Sequence, residues 1–431
     1  MRVLVLNPGS SSLKSSVVES STIPDAAAAG IVPLAPDAAL APLARVDVDW
    51  GNDATAAGDP AGDIRALLAR YETAGIPATS LGAVGYRVVH GGDRFREPVL
   101  VTSKVIAEVD ALRSLAPLHN GIAVAAMRAG LAAIPHLPHV AVFDTAFHAT
   151  LPEDAFRYPV PERWYRDWGV RRYGFHGMSV EWSAERAAQL LARPAAGLRL
   201  VVAHLGSGCS ATATDGGRSV STSMGLTPLE GLMMGTRSGS IDPGILLYLR
   251  RHDRLTDEEL DDQLEHASGL VGVSGRTSDV RELLRLAGEG DRDGDTAGDR
   301  GGEGDHDGGD QRADLALRMF VRRAAECMAA AATSLATVDA VVFTGGIGEN
   351  AAGLRARIVA RLASVGVAPI PDAAAPEDAI LSGPGISPAV LRIEAREDLV
   401  VARAAAGMAE GMAAQIAAAS GRSGPVDPPS S

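Results

Sequence analysis

The chain has 431 residues, a net charge of −13, 46% hydrophobic residues and only 4% aromatics, which suits two domains with cores built from Ala, Val, Leu and Ile. The acidic balance, 53 Asp and Glu against 40 Lys and Arg, gives no electrostatic footprint for nucleic acid or an anionic membrane. Two cysteines, Cys209 and Cys327, exclude a disulfide framework; the apolar run behind Met1-Arg2 is too short for a signal peptide and no run reaches the ~18 residues of a membrane span, so a soluble cytoplasmic protein is expected.

In chain order, Val3–Leu6 reads as a strand, Asn7 to Ser12 as a polar turn and Leu13–Val18 as the returning strand. Residues 21–62, rich in Ala, Pro, Asp and Gly, read as loop with short strands. Ile64–Tyr71 predicts a helix, Ala83–His90 a buried strand, Gly121–Ile134 an Ala-rich helix and Val140–Asp144 a further strand. In the second half, Trp182–Ala192 is helical, Leu198–His204 is a strand running into Leu205-Gly206-Ser207-Gly208, and 209–214 returns. Asp257–Glu265, Val280–Leu286 and Asp314–Ala336 predict helices. Ala340–Phe343 is a strand opening into a Gly-rich turn over 344–350, followed by the helix Leu354–Leu362. A strand near Val390–Ile393, a helix from Asp398 to about Ala419 and a disordered tail complete the pattern.

Residues 288–311 stand apart, with nine Gly, nine Asp or Glu and two Arg. Such a stretch cannot bury enough surface to offset its ordering entropy and reads as a solvated insertion. Asp291, Asp293 and Asp295 alternate as in a calcium loop, but Thr296 and Gly302 stand where the loop needs Gly and Glu.

Gly-rich turns follow strands at 7–12, 205–208 and 344–350, and a fourth, MGTRSGS, holds Arg237. Small residues let the backbone approach a phosphate, and successive N–H groups form an anion-binding concavity. Of the 40 basic residues, 38 are Arg, yet Lys14 survives at the edge of the first turn, where a compact ammonium suits a phosphate. Gly346 to Ala351 also fits the dinucleotide pattern G-x-G-x-x-A, but its acid, Asp372, comes late and the match lies in the last quarter of the chain. Arg87, His119, Asp144, His148, His176 and His204 stand at or near expected strand ends, which points to phosphate handling among Arg and His. LVLNPGSSSLKSSVV and VVAHLGSGCSATAT echo one another as strand, Gly/Ser turn and strand, a hint of duplication.

The blocks LVLNPGSSSLK, YRVVHGG, LAPLHN, VFDTAFH, YGFHGMS, HLGSG, GLTPLEGLMMGTRSGSIDPG, SDVRE, VVFTGGIGEN and EDLVVAR resemble, in order, those of the acetate kinase family, from residue 1 to about 405. The resemblance implies an α/β protein of the acetate and sugar kinase/Hsp70/actin superfamily, with a duplicated actin-like (RNase H-like) two-domain fold and an interdomain active-site cleft. Domains would cover 1–148 with about 396–420, and 149–395. The implied reaction is ATP + acetate ⇌ ADP + acetyl phosphate with Mg²⁺ (Mn²⁺ as a substitute), carried out by a homodimer.

Carried over residue by residue, the resemblance assigns Asn7 and Glu397 to Mg²⁺, Lys14 to the nucleotide phosphates and Arg87 to the acetate carboxylate. Val89, Leu118, Phe175 and Pro228 would receive the methyl group. Asp144, His176 and Arg237 would be catalytic, Asp144 as an orienting carboxylate because acetate is already ionised at neutral pH. The nucleotide would lie on His204, Leu205, Gly206, Ser207 and Gly208, on Asp279, Val280 and Arg281, and on Gly346, Ile347, Gly348, Glu349 and Asn350. The family usually has Asn where this chain has Ser207, which keeps a hydrogen-bonding oxygen but no amide. Propionate or butyrate kinase is the near alternative, since one methylene in an apolar pocket is worth about 1–3 kcal/mol. An actin-like ATP-binding protein without transfer activity is the alternative of another class.

Overall fold

The computed structural model describes residues 1–9, 12–23, 40–49, 59–288 and 310–420, with backbone alone at 49, 117, 118, 419 and 420. The chain divides into two compact units, one holding the described residues of 1–146 and 396–420 apart from any in 26–34, the other those of 147–395. The division at 146/147 falls two residues before the expected 148/149.

The first unit contains β1 (Arg2–Pro8), β2 (Ser12–Glu19), β3 (Ala44–Asp49), β4 (Leu81–Val88), β5 (Val99–Leu100) and β6 (His139–Phe143). They form one sheet in the order β3-β2-β1-β4-β6-β5. The second contains β7 (Arg199–Leu205), β8 (Cys209–Asp215), β9 (Arg218–Thr222), β10 (Ala340–Thr344), β11 (Ala379–Ile380) and β12 (Ala389–Arg392), in the order β11-β12-β10-β7-β8-β9. Read from the other edge, the second sheet repeats the first strand for strand. In both, two antiparallel pairs lead to two parallel pairs and a short antiparallel edge. The duplication hinted at by the two echoing hairpins is therefore a property of whole sheets.

The interiors of the parallel strands are mostly apolar because helices cover both faces, with polar residues such as Arg87, His204 and Arg392 at or near their C-terminal ends. Every residue of β6 and β10 is buried. In the first unit, Ile64, Leu67 and Tyr71 of the helix Pro60–Thr73 and Ala123, Val124 and Met127 of Pro117–Ala133 share one core with Leu4, Leu6 and Tyr86. On the opposite face, the helix Glu397–Ser420 lies so close to β4 that a Cβ on Gly85 would meet Val401 Cγ1 at 2.5 Å. In the second unit the helices Gly177–Leu190 and Gln311–Ala332 pack on the sheet.

Residues 344–350, expected as a turn, form the short helix Gly345–Asn350. Gly345 takes φ +78°, which lets the chain pass from β10 into a helix without a loop. The buried Arg355 then donates from Nη1 to the carbonyls of Gly348 (2.9 Å) and Glu349 (2.7 Å), satisfying groups that the helix end leaves open. β3 is one of the short strands expected within 21–62, whereas β9 and the helices Ser103–Ala111, Glu162–Trp168, Gly244–His252 and Gly269–Ser274 went unmarked by the pattern. The acidic stretch at 289–309 and the tail after 420 lie outside the described residues. Among the described residues no helix is long and apolar enough to cross a membrane.

Candidate active site

In open α/β sheets, ligand groups gather beyond the C-terminal ends of parallel strands, where side chains leave the ladder. In the first unit, β4 brings Arg87 to that edge opposite Val142 of β6, and Asp144 follows immediately after β6. The Asp144 backbone N–H donates to the Val88 carbonyl at 3.0 Å, which fixes where its side chain starts. Arg87 then chelates Asp144, with Nε to Oδ1 at 2.9 Å and Nη2 to Oδ2 at 2.7 Å. Its Nη1 lies 2.5 Å from Oε2 of Glu397, the first residue of the last helix. Burial works against the Arg87 charge, but the two carboxylates overcome it and raise the guanidinium pKa. Glu397 is pushed up to about 7 by burial and by Asp144 and Asp398, against the pull of Arg87 and Lys14.

Asn7 and Lys14 face each other across β1 and β2 as register partners, Asn7 half-buried and Lys14 exposed. Val89 is half-buried at the end of β4, whereas the side chain of Leu118 lies outside the described residues. Among the described residues there is no group of three or more His, Cys, Asp or Glu that could hold a metal ion.

The second unit supplies mostly backbone. A cavity of about 560 Å³ is lined by Gly206 and Ser207 of the β7–β8 turn, Gly235, Thr236, Ser278 to Arg281, Leu284, Gly346, Ile347, Asn350 and Ala351. Three segments singled out in the sequence thus meet in one place through Gly206, Ser207, Asp279, Val280, Arg281, Gly346, Ile347 and Asn350. Gly235, Thr236, Ser278, Leu284 and Ala351 were not assigned to the nucleotide, although all but Leu284 lie inside motifs singled out in the sequence. Asp279 is already committed: its carboxylate accepts from the backbone N–H and guanidinium of Arg281, and it is held down to about 2 by those hydrogen bonds.

His204, Leu205, Gly208, Gly348 and Glu349 do not line the cavity. Leu205 is buried in the sheet, and a Cβ on Gly348 would sit 3.5 Å from the Phe343 carbonyl carbon. The Glu349 carboxylate accepts from the Ala395 N–H at 2.8 Å and lies 3.8 Å from Arg392 Nη2. Arg392 in turn meets Asp378, which is buried against Arg186 at 2.7 Å. Glu349 therefore anchors the helix Gly345–Asn350 to the end of β12.

Gly208 plays another part. A Cβ there would stand 3.1 Å from His176 Nε2 and 3.4 Å from Arg237 Nη2, so both donors lie against the bare backbone of the turn. The His176 ring stacks on His204 with centroids 4.0 Å apart, and its Nδ1 lies 3.0 Å from Ser210 Oγ. His204 Nδ1 is fixed by Ser179 Oγ at 2.8 Å. Arg237 donates from Nη1 to the Pro228 carbonyl at 2.7 Å, with Nε 3.7 Å from Glu265. Burial lowers the Arg237 pKa and Glu265 offsets it, yet a guanidinium stays charged throughout the working range. Phe175 and Pro228 are buried in this unit.

The profile of the acetokinase family matches residues 2–403. The chain belongs to that family. An acetate kinase from Deinococcus radiodurans is 46% identical over 413 residues, which is 94% of this chain and 97% of that one. A propionate kinase from Francisella tularensis aligns with a TM-score of 0.78 at 32% identity, covering 94% of this chain and 99% of that one. An acetate kinase from Porphyromonas gingivalis aligns with a TM-score of 0.77 at 29% identity, over 94% and 99%. Acetokinase membership accounts for a chain in which one duplicated sheet carries a charged cluster and the other a glycine-lined cavity.

Proposed function

We propose that the chain is an acetate kinase, an ATP:acetate phosphotransferase that reversibly moves the γ-phosphoryl group of ATP to an acetate oxygen. The observation that carries this reading is the pair of donors, His176 and Arg237, drawn against Gly208 one residue beyond the cavity-lining Ser207. Phosphoryl transfer asks a protein mainly for positioning and for positive charge around the equatorial oxygens. The cavity would take the nucleotide, and His176 and Arg237 would stabilise the transferring group.

Arg87 would hold the acetate carboxylate. Its Nε edge is taken by Asp144 and one Nη1 contact by Glu397, while each terminal nitrogen carries a second N–H for a ligand. Asp144 accepts on both oxygens, which suits it to orient Arg87 rather than to remove a proton that acetate does not carry. The methyl group would meet Val89, Leu118, Phe175 and Pro228.

Asn7 and Glu397 fit a hard divalent cation, since both present oxygen, and added positive charge would offset the burial and the neighbouring carboxylates that raise Glu397. Mg²⁺ held there would neutralise charge on the nucleotide phosphates, with Lys14 on the adjoining strand as a further phosphate partner. Use of ATP accords with a cytoplasmic setting. A homodimer is part of the same reading: the helix Gly244–His252 buries no residue and exposes Leu247 and Tyr248 at 56% and 59%, with Ile241 and Ile245 beside them. Leu247→Glu is expected to turn a dimer into a monomer on size-exclusion with light scattering; an unchanged mass would reject that face.

The test of the activity is an acyl-hydroxamate assay with ATP, Mg²⁺ and a series of acetate, propionate and butyrate. Acetate is expected to give the highest kcat/KM, and no acyl phosphate from any acid would refute the kinase reading. Propionate as the best substrate would favour the likeness to the propionate kinase structure instead.

A further inference from the structure

His148 belongs to the motif VFDTAFH, whose Asp144 is absorbed by the proposed site while the histidine is not. It is buried, 1% exposed, in the turn Ala146–Thr150 that follows β6. Its Nε2 lies 2.9 Å from the Phe175 carbonyl oxygen, and its Nδ1 lies 2.8 Å from Ser219 Oγ on β9. A carbonyl can only accept, so Nε2 carries the proton; in the neutral ring, Nδ1 accepts from the Ser219 hydroxyl. Ser219 is itself held, since Thr150 Oγ1 donates to its carbonyl at 2.8 Å.

That Phe175 carbonyl belongs to the peptide joining Phe175 to His176. His176 adopts φ +57° and ψ +25°, a left-handed conformation that a non-glycine residue rarely takes unless its surroundings hold it there. The Cα of His176 lies in the plane of that peptide, so anchoring the carbonyl places the Cα and the N–Cα axis about which the left-handed φ is set. The ring of His148 also lies close to Gly174, where a Cβ would come 2.7 Å from its Cγ and Cδ2. Gly174 and the carbonyl of the Phe175–His176 peptide thus both lie against one imidazole.

We propose that His148 is a positioning residue for phosphoryl transfer, its Nε2–H holding the Phe175–His176 peptide so that His176 points at Gly208 beside Arg237. It touches no reacting atom and acts only through His176. The proposal rests on the reading of His176 as the group that stabilises the transferring phosphoryl.

The test is a double-mutant cycle between positions 148 and 176, read as kcat and KM with thermal melting and near-UV circular dichroism as folding checks. His148→Leu is expected to lower kcat about 10–100-fold with both KM values within about threefold, because a small misplacement is costly in the transition state. His148→Gln, whose amide can still donate to Phe175, is expected to recover most of that loss. In a His176→Ala background, His148→Leu is expected to change kcat less than about twofold. An equal loss in both backgrounds, or wild-type kcat in the folded His148→Leu protein, would overturn the proposal. If His148→Leu fails to fold, Ser219→Ala frees Nδ1 of its partner and takes its place, with about a 3–10-fold loss expected in the wild-type background alone. Wild-type turnover in His176→Ala would overturn the underlying reading of His176, a result recognisable before the cycle is completed.

Discussion

The two units share a sheet and differ in what stands at its edge. If β1 is laid on β7, Asn7 falls on His204, and the ladders pair Leu6 with Tyr86 and Ala203 with Phe343. Arg87 and Thr344 then occupy the same place on the neighbouring parallel strand. In the first unit that place sends out a guanidinium chelated by one carboxylate and touched by another. In the second it leads into Gly345, and the strand turns at once into a helix. The turns beside them differ as well: four residues, 9–12, separate the paired Pro8 and Leu13, but three, 206–208, separate Leu205 and Cys209. One scaffold therefore offers side-chain charge on one copy and close backbone approach on the other. In the function proposed above, a small carboxylate would use the first, and a polyphosphate, whose charge is spread over many oxygens, would use the second.

The sharpest way to break this division of labour is to remove one cation from each side. Arg237→Ala is expected to lower kcat by about 10²–10³-fold with a much smaller change in acetate KM, as for a donor that acts in the transition state. Arg87→Ala is expected to raise acetate KM at least as much as it lowers kcat. Near-normal turnover in steady-state assays of both variants would erase the contrast between the two edges.

A smaller effect is expected where backbone alone matters. Gly208→Ala inserts a Cβ 3.1 Å from His176 Nε2 and 3.4 Å from Arg237 Nη2, so both donors must give way. We expect kcat to fall about tenfold with ATP KM little changed, which corresponds to about 1.4 kcal/mol in the transition state. A variant as fast as wild type would mean that the approach at Gly208 is unimportant. The smallest effect belongs to Ser207→Asn, which exchanges one hydrogen-bonding group for another at the cavity wall. ATP KM should move by no more than about tenfold, the worth of one hydrogen bond, 0.5–1.5 kcal/mol; abolished transfer in a folded variant would contradict that role.

Much of this arrangement is legible in the sequence because it depends on local chemistry. Runs such as Val3–Leu6 and Ala340–Phe343 can only be buried strands once Gly-rich turns bound them, and the structure extends the first to Arg2–Pro8. The helix Asp257–His266 is announced by Thr256 and Glu259, which form its capping box. By contrast, Gly345–Asn350 holds three glycines and has poor intrinsic helix propensity; the buried Arg355, five residues past its end, satisfies the carbonyls of Gly348 and Glu349. Glu349 sits within a phosphate-type motif, yet its partners are Arg392 and the Ala395 N–H, which only the fold brings near. The cluster of Arg87, Asp144 and Glu397 spans more than 300 positions of sequence and was reached through resemblance, not spacing. The exposed apolar face of Gly244–His252 looks like an ordinary amphipathic segment until the structure leaves it uncovered.

The first unit is stitched together from both ends of the polypeptide. Gly85 in the middle of its sheet is shaped to receive Val401 and Ala405, and the carboxylate of Glu397 comes from the same closing helix. The second unit, by contrast, draws its sheet and both packing helices from the single stretch 147–395. During synthesis, then, the early sheet must wait for about the last twelfth of the message to be read, while the later sheet can assemble as soon as its own stretch has left the ribosome. A chain halted before residue 396 would still hold every residue that lines the cavity, yet it would lack the helix that packs on β4 and the Glu397 carboxylate that meets Arg87.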